Sequence, residues 1–163
     1  MSMNTADVRV GDWVQITIEG HKYPAHVTTI RYYTEEIGVA YLAAPNDWKY
    51  CGGYDDIEPI PLSPEILQAN GFYWGYTSSV EDMIGNIGGV AIEPPNKAWC
   101  YDEGDGEVTV EFPTESDGGV ITLTFDRHIE MVFCEPINVH ELQGLLRLCG
   151  GGLRDLADNF KVN

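Results

Sequence analysis

The chain is short of positive charge. Nine Lys and Arg stand against 26 Asp and Glu in 163 residues, a net charge of −17. Such a surface repels phosphate backbones, which argues against a conventional nucleic-acid binder, and it lacks the basic face of a membrane-surface helix. Long hydrophobic runs are missing too: no stretch approaches the roughly 18 apolar residues of a membrane span. The opening MSMNTADVRV has neither a basic start nor an apolar core, so it does not read as a secretory signal, and the expected setting is the cytoplasm. Cysteine is sparse. Cys51, Cys100, Cys134 and Cys149 form no CxxC. They are expected as reduced, mostly buried thiols, in preference to a metal site or a disulfide pair. Catalytic signatures are absent as well: there is no GxSxG, P-loop, HExxH or GxGxxG ahead of a helix. No cofactor is expected.

What is present is an ordinary globular composition, 44 % hydrophobic, with aromatic and β-branched residues throughout. That argues against disorder despite the charge. The pattern predicts an α+β fold. Residues 1–61 read as five short strands forming an SH3-like small β-barrel. Val14, Ile16 and Ile18 alternate in the first strand, and Glu19-Gly20 turns the chain. Further strands are expected over 25–33, 37–43 and 48–51, with a turn at Asn46-Asp47. Residues 62–163 read as an α+β unit, which either stands apart from the barrel or packs with it. It opens on a short helix: Ser63 as N-cap, Pro64 in the first turn, Leu62 and Leu67 as a hydrophobic staple, and Asn70-Gly71 as the stop. The stretch from Phe72 to Trp99 is hard to read. Ser79 with Asp82 suggests a helical turn, while Gly85, Gly88, Gly89 and Pro94-Pro95 argue for loops. An antiparallel meander is predicted over 107–112, 119–126 and 128–134, with Asp117-Gly118-Gly119 joining its first two strands. A C-terminal helix follows, with Asn138 and Glu141 at capping-box spacing and an apolar stripe of Val139, Leu142, Leu145, Leu146 and Cys149. Gly150, Gly151 and Gly152 are expected to end it. A last helical segment docks through Leu156 and Phe160.

Three constellations bear on function. Asp126, His128 and Glu130 share one face of a predicted strand, a spacing suited to a metal ion or a general base, and equally to a plain exposed face. The acidic run from Asp102 to Asp117 lacks the glycine and bidentate glutamate positions of a calcium loop, and reads either as solvated hairpin loops or as a docking surface. Four Trp and nine Tyr are many for this length. Trp48 and Tyr50 beside one turn, and Tyr73, Trp74 and Tyr76 after the helix stop, are candidates to stack on a ligand ring. Arg31 and Arg127 are candidates to hold its anionic part. The alternative for each aromatic is a place in the core.

The stretches VRVGDWVQI, DIEPIPLSPEILQANGF and INVHELQGLLRL together resemble a group of small proteins encoded by Bacteroidota and their phages, with the pattern RIGNWV … PIPLTEEIL…GF … VHQLQNL. The chain departs from it after Gln143, where Gly144 and the run Gly150 to Gly152 replace a continuous helix. The resemblance implies an origin in a phage or mobile element and carries no activity with it. The expected function is then a non-enzymatic binding protein that captures a host factor. Its partner is either a nucleotide-like immune signal or, for an acidic DNA-mimic-like inhibitor, a basic host protein. Two further roles fit the sequence: a structural or assembly protein of a phage particle, and a hydrolase built on Asp126, His128 or Glu130. Homo-oligomerisation stays open.

Overall fold

A computed structural model describes residues 8–31, 36–41, 49–77, 96–104, 106–112, 119–125, 128–134, 137–149 and 151–162. The protein is mixed α and β, with most of its described residues in two five-stranded antiparallel sheets. The first sheet holds β1 (Trp13–Ile18), β2 (His21–Arg31), β3 (Glu36–Tyr41), β4 (Lys49–Gly53) and β5 (Ile57–Pro59), in the order β4-β3-β2-β1-β5. A 3₁₀ turn over Tyr54–Asp56 links β4 to β5. Among the described residues β4 and β5 are the outer strands, and no closed barrel forms.

The hairpin between β1 and β2 turns on Glu19 and Gly20, at φ 50° and 83°. Two successive left-handed residues suit the twist of a two-residue hairpin. β2 starts at His21, four residues earlier than the sequence suggests, and so includes Pro24 opposite Gln15. Among the described residues β3 pairs with β2 only as far as Ala25, which leaves Pro24, with its missing N–H, beyond that pairing. A register shift between Val27 and Thr29 then bends β2.

α1 (Pro64–Ala69) follows the predicted punctuation. Ser63 Oγ accepts the Ile66 N–H at 3.2 Å, and Gly71 takes φ 87° at the stop. The second sheet holds β6 (Tyr73–Gly75), β7 (Ala98–Glu103), β8 (Gly106–Glu111), β9 (Gly119–Phe125) and β10 (His128–Cys134), in the simple order β10-β9-β8-β7-β6. The predicted meander is its β8–β10 part. Asn46-Asp47, residues 78–95 with the features predicted there, and Asp117-Gly118 lie outside the described residues.

α2 (Val139–Leu148) starts at the predicted cap, where Glu141 Oε2 accepts the Asn138 N–H at 3.4 Å. The glycine run does not simply stop the chain: α3 (Gly151–Asp158) begins within it. The reason is close packing. A Cβ at Gly152 would collide with Glu103 Cγ, and one at Gly106 would lie 2.7 Å from Leu153 Cδ1. Glycine lets the start of α3 press on the β7–β8 hairpin.

Each sheet has its own core. The smaller contains Val14, Ile16, Ala25, Val27, Ile37 and Ile57. The larger lies between β8–β9 and the helices, around Val108, Ile121, Leu123, Leu142, Leu146 and Leu153. β1 serves both. By the period of two, Val14 and Ile16 enter the first core while Trp13 enters the second. Pairing at the base of the helices adds to this link: Leu62 N–H reaches Ile137 O and Val139 N–H reaches Ile60 O, both at 2.9 Å.

Candidate binding surfaces

The second sheet ends in an aromatic edge. β6 pairs with β7 so that Tyr73 opposes Cys100 and Trp74 opposes Trp99. The two indole centroids are 5.5 Å apart and tilted by 58°. Trp74 remains 55 % exposed although it sits in a strand, and Tyr73 is exposed as well. The Tyr73 hydroxyl lies between the Tyr76 carbonyl, 3.1 Å away, and the Asp102 carboxylate, which it hydrogen-bonds. The Tyr101 ring packs 5.3 Å from Phe72, and its hydroxyl meets Glu103 Oε2 at 3.4 Å. Burial, then the Glu103 charge, pushes the Tyr101 phenol above its ordinary pKa, so it stays protonated as a donor at neutral pH.

Carboxylates lie on the Tyr73 face of this edge. Glu107 stands opposite Asp102 across the β7–β8 ladder, a like-charge pair that costs stability unless a cation sits nearby. A pocket of about 190 Å³ opens between Tyr76, Thr77, Asn96, Cys100, Thr109 and Glu111. Cys100 is a buried free thiol, as the sequence suggests. Cys149 is another, and burial raises its pKa, so it is a poor nucleophile. The edge as built offers apolar ring faces and negative charge. That chemistry accepts a cationic, partly apolar group better than an anion.

A second concavity, of about 570 Å³, lies between Arg9, Val132 of β10 and one flank of α2, where His140, Glu141, Gly144, Leu145, Arg147 and Leu148 line it. Leu148 is 75 % exposed. A Cβ on Gly144 would meet nothing within 4 Å, so the glycine opens the groove. Arg147 is held at its base by an ion pair with the fully buried Asp12 and stands 3.8 Å from Asp158. The groove therefore combines two guanidinium groups with apolar walls, although carboxylates neutralise part of that charge.

The sequence-predicted ligand residues are only partly brought together. Tyr73, Trp74 and Tyr76 share the β6 edge. Arg31 is in the other sheet, exposed and paired with Glu36 at 3.2 Å. Tyr50 belongs to β4, while Trp48 and Arg127 lie outside the described residues. Asp126, of the metal or base triplet, lies outside them too. Among the described residues no group of three or more His, Cys, Asp or Glu side chains is placed to hold a metal ion, and no helix is long and apolar enough to cross a membrane. Sequence reasoning missed Arg9, Gly144 and Arg147. Gly144 is the signal that could have found the groove, since a glycine inside a well-capped helix asks for a packing or functional reason. No family model, no curated protein and no solved structure matches the chain.

Proposed function

We propose that this chain is a non-enzymatic binding protein whose β6–β7 edge docks a basic segment of another protein. The observation that carries the reading is Trp74, an exposed indole tilted against Trp99 on a short strand whose other face carries Tyr73, hydrogen-bonded to Asp102, with Glu107 opposite that carboxylate. Among the described residues β6 is the outer strand of its sheet, and an outer strand offers backbone partners to an incoming extended segment. The tryptophan supplies an anchor, and the carboxylates select for Lys and Arg. The resemblance to phage-encoded proteins argues for a partner among the host proteins of a bacterial cytoplasm. The N-terminal sheet fits the same picture as an SH3-like barrel: the order β4-β3-β2-β1-β5, a bulged β2 and a 3₁₀ turn before β5 all suit that fold.

The test is capture of partners from a bacterial lysate by wild-type protein and by Trp74→Ala, eluted with rising salt. The wild type should retain a basic protein that is released steeply as salt rises, and Trp74→Ala should retain at least tenfold less, the loss of about 1.4 kcal/mol or more expected for an interface anchor. Equal retention by both proteins would sink the assignment.

A second reading rests on the Arg9–Arg147 groove, whose volume and guanidinium groups suit a nucleotide-derived signal better than any other described concavity. Calorimetry against cyclic and ADP-ribose-derived nucleotides checks it. Heat with wild type that disappears in Gly144→Phe, which fills the groove, would favour this reading over the first.

A further inference from the structure

The two halves of the molecule meet at a polar junction, and a histidine stands inside it. Trp13 donates its backbone N–H to Gln143 Oε1 at 2.9 Å and its indole N–H to Phe160 O at 2.6 Å. Gln143 Nε2 reaches Gly11 O at 3.3 Å and Ala157 O at 3.1 Å. Asp12, fully buried, pairs with Arg147 and also accepts the Arg9 backbone N–H at 2.7 Å. The His26 ring lies on the Trp13 indole, with centroids 3.5 Å apart, directly across the β1–β2 ladder. The Gly11 carbonyl that Gln143 uses also bears on the ring and favours its protonated form.

We propose that His26 makes this junction an acid-sensitive latch, closed at neutral pH and loosened below it. The geometry leaves a charged imidazole badly placed. On α2 the facing charge is Arg147, a like charge. The nearby carboxylates, Asp12 at the start of β1 and Asp158 of α3, are both engaged by that arginine. Arg9 gives Asp12 its backbone N–H, while its guanidinium donates to the Val8 carbonyl at 3.1 Å. From β3 the residue opposite is Ala40, which carries no charge. The Gly11 carbonyl works the other way and favours protonation.

The sign follows from these surroundings. Burial, and to a lesser degree the Arg147 charge, lower the pKa of docked His26 below its ordinary 6.5, with the Gly11 carbonyl opposing them. Undocked, His26 takes up its proton more readily. The latch is therefore at full strength above the free value, and weakens as pH falls from there toward the lower docked value. Each unit between the two values weakens it about tenfold.

The experiment is an NMR titration of the whole chain, with amide-exchange protection measured at pH 7.5 and 5.5. The His26 imidazole should titrate below 6.5. Protection of the Val27 amide, which bonds Asp12 O at 3.0 Å, should fall between those pH values more than that of Leu123 in the larger core. His26→Gln keeps a donor without a titrating ring and should remove the extra loss, whereas His140→Gln, at the buried histidine on α2, should not. A His26 that titrates at or above 6.5 overturns the proposal, and that result needs no variant to fold. Unchanged pH dependence in His26→Gln overturns it equally.

Discussion

Gln143 is the residue on which most of the polar junction depends. It is fully buried in α2, yet it satisfies three backbone groups: the Trp13 N–H and the Gly11 and Ala157 carbonyls. Replacing it with an apolar side chain of similar size would leave those groups buried without partners. Gln143→Leu should therefore destabilise the fold by about 3 kcal/mol in a denaturant titration, although hydropathy alone favours the change. Asp12 shows the same logic with a charge. Its carboxylate is tolerated at zero exposure because Arg147 and the Arg9 N–H complete its surroundings. Neither role can be seen in the sequence. Gln143 sits beside an apolar stripe like any flanking polar residue, and its partners are 14 to 132 residues away.

At the scale of elements, legibility follows locality. α1 can be read residue by residue because its cap, first-turn proline and stop are all within a few residues of one another, and the same holds for the start of α2. β8, β9 and β10 are visible through their alternation. β6 and β7 are not, because β6 is three residues long and its aromatics resemble core as much as edge. The glycine run misleads for a different reason. Glycine ends helices, but here it also permits close approach, and only the β7–β8 hairpin shows which role applies. Two glycines that look alike in sequence should behave oppositely. Gly152→Ala, crowded by Glu103, should cost about 1–3 kcal/mol, and Gly144→Ala, facing open space inside α2, should gain about 0.5–1 kcal/mol. Thermal denaturation of the two variants checks the contrast.

For the whole molecule the governing quantity is the net charge of −17. Self-repulsion on that scale opposes compaction, and salt screens it. The ions that matter most to the fold, Asp12 and Arg147, are sheltered from salt, while the exposed Lys22–Glu58 pair contributes little. Raising NaCl from about 0.02 M to 0.5 M should thus raise the thermal midpoint, because screening of repulsion exceeds loss of surface pairs. The same series should weaken partner binding at the β6 edge, so stability and affinity are expected to move in opposite directions. A fall in both would point to exposed ion pairs as a main support of the fold.

The bond from the Trp13 indole to Phe160 joins residues 147 apart in sequence. On a ribosome adding about 5–20 residues per second, the first strand waits roughly 7–30 s before its acceptor exists. During that interval Trp13, an indole meant for the second core, has the His26 ring against it but none of the C-terminal helices. A nascent chain in this state keeps apolar surface exposed until the segment that carries Phe160 has emerged. Slowing translation over the codons for α2 and α3 should lengthen that exposure without altering the finished protein.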